Sequence, residues 1–149
     1  MKPENKKIYF VDGRYVEADK AVIPVDDLAV LRGYGVCDIM RTFNRKPFLI
    51  NEHIRRLFRS AKGIGMELPW PHEKVIETVR TTLSKNKLEN EVNIRIVVTA
   101  GSSPDFLHPK GNPRLIIMIT DLPALPARWY TDGIKVITIH KERSHPDAK

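Results

Sequence analysis

The stretch "VCDIMRTFNRKPFLINEHIRRLFRSAKGIG", Val36 to Gly65, changes from one periodicity to another partway along. Val36 to Phe43 and Lys46 to Ile50 read as a strand pair around the Asn44-Arg45 turn. Asn51 then reads as an N-cap, its side-chain oxygen serving the open amides of a helix that runs to about Gly65. Ile54, Leu57, Phe58, Ala61 and Ile64 recur at helical spacing and give that helix one apolar stripe to press on a core. A strand pair leading into an amphipathic helix predicts a helix laid on an antiparallel sheet.

The flanking segments agree. Lys6 to Val11 and Arg14 to Ala18 bracket Asp12-Gly13, a dipeptide suited to the positive φ angles of a tight hairpin. After Pro69-Trp70-Pro71 a second helix is expected from about His72 to Lys87, with Val75, Ile76, Val79 and Leu83 inward. Val92 to Thr99 alternates as a strand, Ala100 to Pro113 reads as a loop, and Arg114 to Thr120 is a strongly apolar strand. The expected fold is α+β: a two-layer small domain over residues 1–120, with helices on a mainly antiparallel sheet. Asp121 to Gly133, "DLPALPARWYTDG", breaks the pattern as a linker, and Ile134 to His140 resumes as one more strand. One strand cannot pair its own edges, so residues 134–149 are expected to begin a second domain whose body is absent.

Composition narrows the function. At 149 residues, 42% hydrophobic and 29% charged, the chain belongs to the ordinary globular class. No apolar run approaches the roughly 18 residues of a membrane helix, and the first residues start no signal peptide. The lone cysteine, Cys37, excludes an internal disulfide framework and fits a reducing, cytoplasmic setting. The net charge of +7 admits either a nucleic-acid surface or a basic enzyme with anionic substrates. The basic residues are scattered and lack aromatic interleaving, so no nucleic-acid or membrane partner is expected.

Three features carry candidate chemistry. On a helical wheel His53, Arg56 and Ser60 share one flank of the first long helix, while Arg55, Arg59 and Lys62 share the other, which reads as a solvated face. Arg56 lies at the margin of the apolar stripe, where a guanidinium either stays in water or turns inward to an anion such as phosphate. Arg95 shares a strand face with Asn93, Val97 and Thr99, as an edge residue in water or as a charge held toward a cleft. Gly33 and Gly35 bracket Tyr34 before a strand, which permits unusual backbone angles or close approach by a ligand. Asp26, Asp27, Asp38 and His53 are too dispersed to make a metal site, and none is expected.

Together, "DDLAVLRGYGVCDIMRTF" at Asp26 to Phe43, "PFLINEHIRRLFRSAKGIG" at Pro47 to Gly65 and "VNIRIVVTAG" at Val92 to Gly101 resemble the N-terminal half of the class IV aminotransferases, fold-type IV pyridoxal 5'-phosphate (PLP) enzymes. The resemblance covers nearly the whole chain, and the His-x-x-Arg-Leu element, here His53, Arg56 and Leu57, is its most specific part. It implies that Arg56 binds the cofactor's phosphate and that Lys149, matching the first letter of the family's lysine motif, forms the Schiff base with PLP. The second domain, from residue 134, would then be the larger PLP-binding domain. A neutral lysine amine near neutral pH, against an ordinary pKa of ~10.4, needs roughly 4 kcal/mol of destabilisation of its charged form. A buried pocket beside a cationic cofactor can supply that.

Substrate class turns on a few positions. D-amino acid aminotransferases and aminodeoxychorismate lyases of this family carry an arginine where Ala100 stands, whereas branched-chain aminotransferases have an Ile-Arg pair like Ile94-Arg95. The resemblance therefore implies transfer of an amino group between a branched-chain or other apolar L-amino acid and 2-oxoglutarate, with Arg95 receiving a carboxylate. Cys37 stands where an aromatic side chain usually lines the pocket, and Tyr34 and Arg41 are lesser pocket candidates. A homodimer is implied as well. The alternatives are a D-amino acid aminotransferase or aminodeoxychorismate lyase, and, from another class, a basic nucleic-acid- or protein-binding α+β module.

Overall fold

A computed structural model describes residues 6–141. The chain opens with the hairpin β1 (Ile8–Val11) and β2 (Arg14–Glu17), turning at Asp12 and Gly13 with φ of 46° and 88°. A short helix α1 (Leu28–Arg32) leads into the long strand β3 (Gly35–Phe43), which turns at Asn44 and Arg45, both left-handed, into the two-residue β4 (Lys46–Pro47). Two helices follow, α2 (Ile50–Gly63) and α3 (His72–Ser84), then β5 (Val92–Thr99), β6 (Arg114–Asp121) and a single turn, α4 (Arg128–Thr131). The six strands form one antiparallel sheet in the order β2-β1-β6-β5-β3-β4.

Helices α2 and α3 pack on one face of this sheet. Strand alternation sends Val36 and Met40 of β3, Ile94, Ile96 and Val98 of β5, and Leu115, Ile117 and Ile119 of β6 into that layer. They meet Ile54, Leu57 and Ala61 of α2 and Val75, Val79 and Leu83 of α3, all buried. The expected α+β two-layer domain is the one observed. Among the described residues no helix is long and apolar enough to cross a membrane.

The differences lie at element ends. The second strand of the β3–β4 pair stops at Pro47 instead of Ile50, and Asn51 is not the N-cap of α2. Leu49 takes that position in a left-handed conformation, φ 49° and ψ 42°, with no side-chain cap bond. The early start puts Ile50 on the same buried stripe as Ile54, Leu57 and Ala61, and packing of that stripe outweighs capping preference. Helix α3 ends before Lys87 because Asn86 leaves it to serve β1: its Oδ1 accepts from Ile8 N at 2.9 Å, and its Nδ2 donates to Ile8 O at 2.9 Å and Thr82 O at 2.8 Å. Residues 134–140, expected as a strand, show no strand pairing, and Ile134, Val136, Ile137 and Ile139 are exposed. An extended segment without a neighbouring strand has nothing to complete its ladder.

Ile96 is fully buried in β5, between β3 and β6. Ile96→Ala is expected to lower unfolding free energy by about 2–5 kcal/mol. Val22→Ala, at a site 76% exposed, should change it by less than about 0.5 kcal/mol. Urea titrations of both variants measure the difference.

Candidate active site

The register of β3 decides what each of its residues can touch. Val36, Asp38, Met40 and Thr42 point into the helix layer and are buried, while Cys37, Ile39 and Arg41 point to the opposite face. Asp38 is therefore a charged side chain sent inward, with no exposure at all. Two side chains one helical turn apart on α2 come down to meet it. Arg56 Nε donates to Asp38 Oδ2 at 2.7 Å and Arg56 Nη2 to Oδ1 at 2.7 Å, a two-point grip on one edge of the guanidinium. His53 Nδ1 lies 2.7 Å from the same Oδ1.

An ionised carboxylate only accepts, so His53 Nδ1 carries the proton that it shares with Oδ1. The 3.1 Å between Arg56 Nη2 and His53 Nδ1 is then the spacing of two donors converging on one oxygen. Burial pushes the Asp38 carboxyl up, but the hydrogen bonds and charges of Arg56 and His53 outweigh it and hold the group below its ordinary value. Donating to Asp38 raises the pKa of the Arg56 guanidinium in turn. Arg56 keeps 38% of its side chain exposed, and its bonds to Asp38 leave Nη1 unused.

Strand β3 pairs with β5 along Gly35–Arg41 on one side, but with β4 only at Thr42 and Phe43 on the other. Beside Asp38 its outer edge has no strand partner among the described residues. The Asp38–Arg56–His53 cluster therefore stands one residue from the face of the same strand that lies opposite α2 and α3. That face carries Cys37, half-buried, and the exposed Arg41 and Arg95. Arg41 faces Asn93 and Ile39 faces Arg95, so the two arginines are diagonal neighbours across the β3–β5 ladder. Ile39 and Val97, both half-buried, put apolar surface beside them.

Tyr34 lies on the helix side, where its hydroxyl donates to Ile64 O at 2.6 Å and ties β3 to the end of α2. Of its neighbours, Gly33 takes the unusual backbone angle, φ 65°, while a Cβ on Gly35 would fall 2.8 Å from Val98 O, a close approach by the backbone of β5 and not by a ligand. Ala100 is buried and donates its N–H to Tyr34 O at 3.1 Å. Arg55, Arg59 and Lys62 lie exposed on the other flank of α2 and border a cleft of about 730 Å³ with Phe58, Met66, Leu68 and His72. Phe58 and His72 stack there, ring centroids 4.0 Å apart. Lys149 lies outside the described residues.

Sequence reasoning passed over Asp38, although strand parity was the available signal: an acid in register with Val36 and Met40 must find a donor inside. It also missed Asp27, fully buried, which caps α1 through Ala29 N at 2.8 Å and accepts from Thr99 Oγ1 at 2.8 Å and Arg114 Nε at 3.1 Å. Among the described residues no cluster of acids, histidines and cysteine is placed to hold a metal ion.

The antiparallel α+β layer thus holds an arginine bound to a buried acid on its helix side and two further arginines on the opposite face. Residues 35–149 match the model of the amino-transferase class IV family, and the chain belongs to that family. It is 34% identical over 144 residues to a Methanocaldococcus jannaschii protein assigned as a branched-chain-amino-acid aminotransferase, covering 95% of this chain and 48% of that one. A D-alanine aminotransferase of Staphylococcus epidermidis is 31% identical over 132 residues, covering 87% and 46%. The fold superposes on the branched-chain aminotransferase of Thermoproteus uzoniensis, solved with norvaline, with a TM-score of 0.72 at 25% identity, over 79% of this chain and 41% of that one. The chain thus spans about half the length of the curated relatives it matches. Class IV aminotransferases are PLP-dependent enzymes.

A depressed carboxyl stabilises the fold above its ordinary pKa of about 3.9, and this is lost as pH falls through the lower folded value. Asp38→Asn should therefore be less stable than the parent at pH 7, with the gap narrowing below about pH 4 as Asp38 takes up its proton. Urea midpoints measured from pH 7 to pH 2 follow that gap.

Proposed function

We propose that the full protein transfers an amino group between a branched-chain or other apolar L-amino acid and 2-oxoglutarate, using PLP held by Arg56 and Lys149. The observation that carries this reading is Arg56 itself, half-exposed at the free edge of β3 with one edge of its guanidinium gripped by Asp38. A phosphate fits there: it needs outward-facing donors fixed in place, and Arg56 offers Nη1 from a guanidinium that is already positioned.

When bound, PLP supplies an aldehyde that exchanges amino groups and a ring that accepts electrons from the substrate carbon. The chain's own groups divide the remaining work. Arg56 anchors the phosphate end. Lys149 would hold the cofactor covalently through its neutral amine and, once displaced by the substrate's amino group, would be the free base that moves the proton from the substrate Cα. Arg95, with Arg41 diagonal to it, receives substrate carboxylates, and two cations on one face suit the second carboxylate of a dicarboxylic oxoacid. Cys37, projecting from β3 on the same face, borders the side-chain pocket and leaves room where a larger group would fill it. Tyr34, bonded to Ile64 O, contributes by holding β3 against α2.

Residues 1–120 form the small domain in this reading, 121–133 the linker, and 134–149 the start of the PLP-binding domain. The functional unit is a cytoplasmic homodimer without nucleic-acid or membrane partners. The norvaline bound by the T. uzoniensis enzyme supports an apolar substrate. The S. epidermidis relative supports the alternative of a D-amino acid substrate, against which stands the small, buried Ala100.

Borohydride treatment of the full-length protein with PLP should fix the cofactor on Lys149, read by peptide mass spectrometry; an unmodified Lys149 removes its assigned role. Arg56→Ala should weaken PLP retention roughly 10- to 100-fold, the loss of one or two charge-assisted hydrogen bonds. Arg95→Ala should raise KM for 2-oxoglutarate more than KM for leucine. Paired assays with L- and D-leucine decide the stereochemistry.

A further inference from the structure

We propose that Asp38 is the positioning residue of the phosphate site: its buried carboxylate fixes one edge of the Arg56 guanidinium and so aims the other edge at the phosphate. This rests on the reading of Arg56 as phosphate ligand. Asp38 itself touches neither cofactor nor substrate.

Two opposed effects follow from placing a carboxylate on that arginine. Coulomb attraction alone makes Asp38 harmful, since its negative charge neutralises Arg56 and repels an arriving phosphate. Positioning makes it useful, because a free arginine samples many rotamers and must give them up on binding. The geometry favours positioning. Asp38 sits on a strand hydrogen-bonded to β5, has no exposure and carries a short side chain, so its oxygens are fixed by the sheet. Nε and Nη2 each reach an oxygen at 2.7 Å, which sets the plane of the guanidinium as well as its place. His53 Nδ1 occupies Oδ1 at 2.7 Å from the side and holds the carboxylate against rotation. Arg56 therefore meets its ligand with one degree of choice removed, and Nη1 is the nitrogen left to act.

The two effects predict opposite signs, and full-length protein can be assayed for them without turnover. The readout is the ratio of the dissociation constant of pyridoxal, which lacks the phosphate, to that of PLP. A general loss of structure weakens both ligands, whereas a fault in the phosphate site lowers the ratio. Asp38→Asn should lower it about tenfold or more, in the manner of Arg56→Ala, and the double variant should be no worse than Arg56→Ala alone, because Asp38 acts only through Arg56. Asp38→Glu, which keeps the charge but shifts it by a methylene, should fall between the parent and Asp38→Asn, and it reports where the asparagine variant does not fold. A parental ratio in Asp38→Asn, tighter PLP binding in it, or losses that add in the double variant would overturn the proposal. An unchanged ratio in Arg56→Ala would instead remove Arg56 from the phosphate site and leave the positioning question without an object.

Discussion

A carboxylate with no exposed surface is among the costliest groups a small domain can carry, and Asp38 is tolerable only because three donors close on its two oxygens. The requirement extends beyond the site. Arg56 and His53 are three residues apart on α2, so satisfying Asp38 fixes both the rotation of that helix and its translation along β3. A slide of one turn would break the three bonds and take Ile50, Ile54, Leu57 and Ala61 out of register with the sheet. Helix packing and the Asp38–Arg56–His53 cluster are thus one arrangement seen from its two sides.

The beginning of β3 is held by a separate polar group of the same kind. Asp27, also without exposure, gathers the α1 amide, Thr99 and Arg114, and Arg114 reaches on to Asp12 at 2.8 Å and Ser102 at 3.0 Å. One arginine so connects the β1–β2 turn, the start of α1 and the loop after β5. Gly33 and Gly35 let the chain enter β3 between these contacts, the first by its left-handed φ and the second by its approach to Val98 O. With the entrance of the strand fixed at Asp27 and its middle at Asp38, the outward residues Cys37, Ile39 and Arg41 have a defined platform.

The sheet and the two long helices were legible because their apolar residues repeat at two distinct periods, and burial of such stripes is the largest favourable contribution to the fold. Element ends were less legible. The start of α2 at Ile50 rather than after an Asn51 cap reflects packing at a distance, and Asn86 leaves α3 for a partner in β1 that no local pattern announces. In the site, Arg56 was found through its motif and its place at the margin of the stripe. Asp38 and Asp27 were not found, since buried acids are recognised by their side-chain partners, which lie 15 to 87 residues away along the chain. Segment 134–140 has the apolar alternation of a strand but finds no ladder, because β pairing is a property of two segments and not of one.

An arginine already bound to an acid offers an anion little net charge, so attraction at long range is a poor account of such a site. In the proposed phosphate site selectivity would come from geometry: a planar donor group, held on one side by a rigid acceptor, presents its remaining N–H groups in a fixed direction and loses little freedom on binding. The same logic separates this cluster from Arg55, Arg59 and Lys62 on the opposite flank of α2. Those three carry more uncompensated charge, but they stand on exposed side chains that no carboxylate among the described residues orients, apart from Glu52 at 3.9 Å from Arg55. Of the two basic flanks of one helix, the one with the smaller net charge is the better built to recognise an anion, because its sheet neighbour has done the orienting in advance.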